Sequence, residues 1–190
     1  LHLCDHNLEN ISNYEKINKD TLLADVCLAA KHEGETLTTQ HGKHQLTNLG
    51  FHTNICTVLA RSFADIGDIV RGRDLYLGDK KEKDRLQSTL KRIFQKIYKN
   101  LMEDLTKSNR TKVAEAQTRY NGDDNYYQLR EDWWEANRQE IWKAITCEHP
   151  GGKYFRQTAC SRFYQTGDDC RCAANIDPPT YFDYVPQYLR

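Results

Sequence analysis

No run in this sequence approaches the roughly 18 apolar residues of a membrane-spanning helix, and Leu1 to Asn10 carries no signal-peptide pattern. Net charge is also missing: 27 Lys plus Arg balance 27 Asp plus Glu. The whole chain therefore has no field that draws nucleic acid, and electrostatic binding must come from local segregation of charge. The sequence has no G-x-S-x-G, no phosphate-cradling glycine loop and no H-E-x-x-H. Asp65 and Asp68 lie one helical turn apart, an arrangement that some helical enzymes give to magnesium. Here each has an arginine nearby and no second acidic motif completes the set. His41 and His44 read as part of a solvated loop. No cysteine pair has zinc-knuckle spacing, and Cys170-x-Cys172 is a poor chelating pair. Catalysis, a metal and a cofactor are therefore not expected.

At 190 residues the chain is long enough for one domain, or two small ones, with a real core. It starts without Met and stops just after Pro186, a residue suited to open a helix, so it reads as a piece of something longer. Seven cysteines, Cys4, Cys27, Cys56, Cys147, Cys160, Cys170 and Cys172, point to disulfides formed in an oxidising compartment. Their odd number leaves one unpaired or bonded outside the chain, and the partner of Cys4 stays open. Cys27 and Cys56 both fall on apolar helices, and a bridge between them would tie the N-terminal region to the rest.

The organising stretch is Ile55 to Tyr76. Ile55, Leu59, Ser62, Phe63, Ile66, Ile69 and Val70 share one helical face, Asn54 is placed to cap its start, and Gly72 is placed to end it. Gly67 inside so regular a pattern predicts another backbone packed closely against it. Before this helix, Asp20 is expected to cap a short helix from Thr21 to Ala30 that Gly34 closes, and Glu35 to Thr53 reads as a loop.

After it, Asp79 opens a long helix to about Lys107, with Leu86, Leu90, Ile93, Phe94, Ile97, Leu101 and Leu105 on its buried side. Lys81, Arg85, Arg92, Lys96 and Lys99 fall within about 60° of one another on the opposite side. With Lys80, Lys83 and Lys91 they form the candidate site, a track for sulfated or carboxylated glycan. The competing reading is an ordinary solvated face.

Thr111 to Tyr120 forms a short polar helix. Asp124 then caps a helix over 125–146 that holds all three tryptophans, with Trp134 central and Trp133 and Trp142 on the flanks. Lys153 to Asn175 is too poor in aliphatic residues for a core and is expected to be an exposed loop stapled through its cysteines. Two sequons, at Asn10 and Asn109, complete the inventory.

Five blocks carry a resemblance. LHLCDHNLENI, LLADVCLAAKHEGETL, ICTVLARSFADIGDIVRGRDLYLG, NYYQLREDWWEANRQEIWKAITC and PTYFDYVPQYLR, in that order, resemble a Duffy-binding-like domain of Plasmodium falciparum erythrocyte membrane protein 1, of the alpha class.

The resemblance implies an all-α, disulfide-stapled helical bundle with three subdomains. Residues 1–53 would be a loop-rich first subdomain with one short helix, residues 54–190 most of the second, and the third would be missing. Candidate disulfide residues are Cys27, Cys56, Cys147, Cys160, Cys170 and Cys172.

It also implies an extracellular adhesion module on the infected erythrocyte, part of a membrane-anchored variant antigen active in rosetting and cytoadherence. Its partners would be host erythrocyte or endothelial receptors and glycans such as heparan sulfate, blood-group sugars or complement receptor one, with host antibodies and adjacent domains of the same chain. The alternative is a structural and antigenic head whose neighbour carries the endothelial receptor site. A third reading gives the Cys160 to Cys172 loop to a host protein such as an immunoglobulin.

Overall fold

The computed structural model describes residues 17–47, 53–75, 80–147, 151–160, 165–172 and 178–190. Among the described residues five α-helices carry the fold: α1 (Lys19–Thr47), α2 (Ile55–Arg71), α3 (Lys80–Ser108), α4 (Arg110–Tyr120) and α5 (Tyr127–Ile145). Two 3-10 turns follow, Phe182–Tyr184 and Gln187–Leu189. No β-strand is present among the described residues.

Helix α1 is longer than its composition suggests. Asn18, not Asp20, caps its start by accepting from the amides of Asp20 and Thr21, both at 2.9 Å. Gly34 does not close it. The helix runs on to Thr47, through most of the stretch expected to be a loop, placing His41 and His44 on its last turns. The reason is a close approach: a methyl group on Gly34 would fall on the carbonyl oxygen of Ile145 in α5. Gly34 is thus an interhelical contact, with Glu33 buried beside it and accepting from the Ser62 hydroxyl at 3.0 Å.

Helix α2 follows its sequence signals. Asn54 accepts from the Cys56 amide at 2.8 Å, and Gly72 ends the helix with φ 73°. Leu59, Phe63, Ile66 and Val70 are buried on the expected face. The neighbour at Gly67 is the Trp134 ring rather than another backbone.

Helix α5 packs against α1, α2 and α3, and all three of its tryptophans are buried. Phe63 lies between Trp134 and Trp142, at 5.1 and 5.2 Å between ring centres, and Trp133 meets Phe94 edge-on at 6.0 Å. Asp123, not Asp124, caps this helix, accepting from the amides of Asn125 and Gln128. Tyr126 takes the left-handed conformation that turns the chain into it.

Among the described residues the disulfides are Cys56–Cys170 and Cys160–Cys172. Cys56 therefore does not pair with Cys27. The start of α2 faces the segment after α5, as the 2.8 Å bond from Asn54 Nδ2 to the Lys153 carbonyl also shows, whereas Cys27 stands half-buried on α1 outside both bridges. Cys147 is exposed. The stapled segment is not wholly exposed: Tyr154 and Cys170 are buried, Tyr154 against Trp142. Cys4, the sequon at Asn10 and the expected cap at Asp79 lie outside the described residues.

Candidate functional site

A buried polar network fixes the frame. Asp183, fully enclosed, accepts from Arg138 Nε at 2.8 Å, from Arg138 Nη2 at 2.5 Å and from the Trp134 indole at 2.8 Å. Arg71 joins Asp68 at 3.0 Å to Glu131 at 3.2 Å. The Asp65 and Asp68 pair is taken up by arginines: Arg190 meets both, and Arg71 meets Asp68. Burial pushes the Asp65 carboxyl up to about 6, partly offset by Arg190, and raises Asp68 as well. These groups hold elements together. Among the described residues no group of His, Cys, Asp or Glu is arranged to hold a metal ion.

The outward face is different. Asn109 alone separates α3 from α4, so the short helix folds back along the long one. Between them lies an open groove of about 960 Å³. Its floor is Tyr98, Met102, Val113 and Tyr126, and its rim carries Arg92, Lys96, Lys99 and Lys107 against one carboxylate, Glu103, which stands 4.0 Å from Lys99.

Tyr98 packs on Tyr120 and Tyr126 at 6.2 and 5.9 Å, tying the end of α4 and the approach to α5 into the floor. Arg119 clamps α4 to α5 through two bonds to Asp132 at 2.5 and 2.6 Å, joined by the Tyr120 hydroxyl at 2.9 Å. The Arg119 hydrogen bonds hold the Asp132 carboxyl below its ordinary range, against a smaller opposing effect of burial.

The eight cations expected from sequence are thus distributed rather than gathered. Arg92, Lys96 and Lys99 line the groove. Lys83 and Lys91 line a second cavity near the start of the helix, where Lys83 donates to the Asp74 carbonyl at 2.6 Å. Lys80, Lys81 and Arg85 are exposed on the first turns and line neither. Sequence reasoning missed Lys107, which continues the stripe two turns beyond Lys99. It also missed the aromatic floor, because Tyr98 and Tyr126 meet only once α4 has folded back.

The Duffy binding domain family model matches residues 1–190. No curated protein sequence matches the chain. Among solved structures, the ICAM-1-binding PfEMP1 IT4var13 DBLbeta domain is similar at 35% identity and a TM-score of 0.67, covering 100% of this chain and 39% of that one. The same domain bound to ICAM-1 gives 34% and 0.67 over 99% and 40% of the two chains. A DBLb domain of a further PfEMP1, bound to human ICAM-1, gives 27% and 0.64 over 99% and 36%. The chain therefore spans about two fifths of the length of these relatives. With a family model matching end to end and a helical, disulfide-bonded frame shared with these structures, the chain belongs to the Duffy binding domain family.

Proposed function

We propose that this chain is an adhesion module, and that the groove between α3 and α4 receives an anionic stretch of a host-cell receptor. One observation carries the reading: Arg92, Lys99 and Lys107 rim an open groove whose lining holds a single carboxylate. Several cations in line raise both the encounter rate and the salt dependence of binding to a polyanion. The ligand class is a sulfated or carboxylated glycan of the heparan sulfate kind, with blood-group sugars and complement receptor one as the other red-cell candidates. The chain would act outside the cell, at the infected-erythrocyte surface, in rosetting. The alpha-class assignment and the division into 1–53 and 54–190 rest on the sequence blocks.

The triple variant R92E/K99E/K107E tests the site on immobilised heparin. It should elute at lower salt with a flatter dependence of retention on salt. Elution at an unchanged salt concentration would remove the groove from consideration.

A second reading has its own support, since the ICAM-1-binding relatives are more than twice as long as this chain. In it, the chain is a structural and antigenic head and the receptor site lies in a neighbouring part. Surface plasmon resonance separates the two, because this reading expects the 190-residue chain to ignore glycans and red cells while a longer head still binds.

A further inference from the structure

Arg130 is 2% exposed, and no carboxylate forms an ion pair with it among the described residues. Its Nε donates to the Val70 carbonyl at 2.5 Å. Its Nη2 donates to the Ile69 carbonyl at 3.1 Å and to Gln87 Oε1 at 2.7 Å. The guanidinium thus caps the C-terminal carbonyls of α2, where the helix dipole favours a cation. It also sits 5.7 Å from the ring centres of both Phe94 and Tyr127. Burial without a counter-ion lowers its pKa to about 10, so it stays protonated at neutral pH.

Capping explains two of the three nitrogens. Nη1 donates to no described residue, and Arg130 forms part of the wall of a 490 Å³ cavity. The bare Cα of Gly72 keeps that atom approachable: a Cβ there would stand 3.0 Å from Nη1 and 2.6 Å from Tyr127 Cε1. Ser88, Lys91 and Asn125 supply further donors in the same wall. Of the two carboxylates in it, Asp74 is engaged by Lys83 at 3.8 Å and by Gln187 at 3.2 Å, and Asp84 is exposed on α3.

We propose that this cavity is an anion site that takes one sulfate ester of a glycan, with Arg130 Nη1 as its innermost donor and Ser88, Lys91 and Asn125 around it. A buried, protonated guanidinium with a free N–H is a strong donor to an anion because charge-assisted hydrogen bonds gain where water is scarce. The three terminal oxygens of a sulfate ester accept from donors on several sides, which suits this wall better than the two coplanar oxygens of a carboxylate. The ligand class rests on the glycan reading above, and the placement extends it. Tyr126 lines the groove and Tyr127 the cavity, and Arg92 lines the groove and Lys91 the cavity. The two spaces therefore adjoin along α3, and a sulfated chain leaving the groove meets Arg130 next.

The test is a titration of the 190-residue chain with N-acetylglucosamine 6-sulfate at constant ionic strength, read from the Arg130 Nε–H and Asn125 side-chain signals by NMR. Saturable shifts at both are expected. Ser88→Glu, on an exposed position, should weaken binding at least tenfold. The proposal is overturned if the Arg130 signal does not saturate, if Ser88→Glu binds as the parent does, or if glucuronate shifts the same signals as strongly. Because the probe is one sugar, failure here with heparin retention still lost in the groove variant would sink this site alone.

Discussion

The ring of Trp134 occupies the space that a side chain at Gly67 would fill: a Cβ there would stand 2.8 Å from Trp134 Cζ2. The ring has little freedom to retreat, because it is fully buried and its indole nitrogen is bonded to Asp183. Helix propensity favours Ala over Gly by about 1 kcal/mol, and overpacking a core costs about 1 to 3 kcal/mol. Gly67→Ala should therefore destabilise despite the better helix former. Gly42→Ala in α1, with nothing within 4 Å of the new Cβ, is the matched control and should stabilise by up to about 1 kcal/mol. Urea midpoints of the two variants check the opposite signs.

Asp183→Ala strips the partner from Arg138, a cation that is itself 7% exposed. Breaking one side of a buried ion pair costs about 3 to 5 kcal/mol, since the remaining charge stays desolvated. The double variant D183A/R138M should recover part of the loss. Thermal melts of the single and double variants give the comparison.

Stability should fall as pH rises from about 4 to about 6, and Asp65 sets the window. Its folded-state pKa is raised from 3.8 to about 6, chiefly by burial, so the folded state binds the proton more tightly than the unfolded chain. The contribution is fully present below 3.8 and is lost as pH passes through about 6. Asp132 acts in the opposite sense at lower pH, because its depressed pKa makes its contribution disappear under acid conditions. Asp65→Asn should flatten the upper slope and leave the acid limb in place, as measured by urea midpoints across pH.

The two disulfides among the described residues should differ in weight. Cys56 and Cys170 are 114 residues apart and Cys160 and Cys172 are 12 apart. On the chain-entropy model the first is worth about 4 to 5 kcal/mol and the second about 3. Paired Cys→Ala variants should reproduce that order. Cys27 should resist alkylation in the folded chain at pH 8, since burial, aided by Glu140, raises its thiol pKa to about 11. Mass mapping that finds Cys27 labelled as fast as an unfolded control would contradict this.

What sequence could reveal depended on whether the signal was local. Asn54 and Gly72 bound α2 through their own hydrogen-bonding and conformational preferences, so both ends were legible. Gly34 misled because the usual meaning of glycine near the end of an apolar run is a stop. Its actual reason, the Ile145 carbonyl more than a hundred residues away, leaves no local trace. The second half of α1 has no apolar periodicity and is helical because its first half is anchored between α2 and α5.

The cations of α3 could be read from helical spacing, yet the groove they rim needed α4 as its other wall. Arg130 likewise looks like one more surface charge until α2 ends against it.

Helix α4 hides a single residue, Ala116, and is otherwise partly or fully in contact with water. Exposed substitutions of this kind usually shift stability by no more than about 0.5 kcal/mol. One bank of the groove is therefore free to drift in composition over generations while the opposite bank and the bed stay pinned by Tyr98 and α5. A lineage with this architecture can redraw the outline that a recognising molecule meets and still keep the channel beneath it.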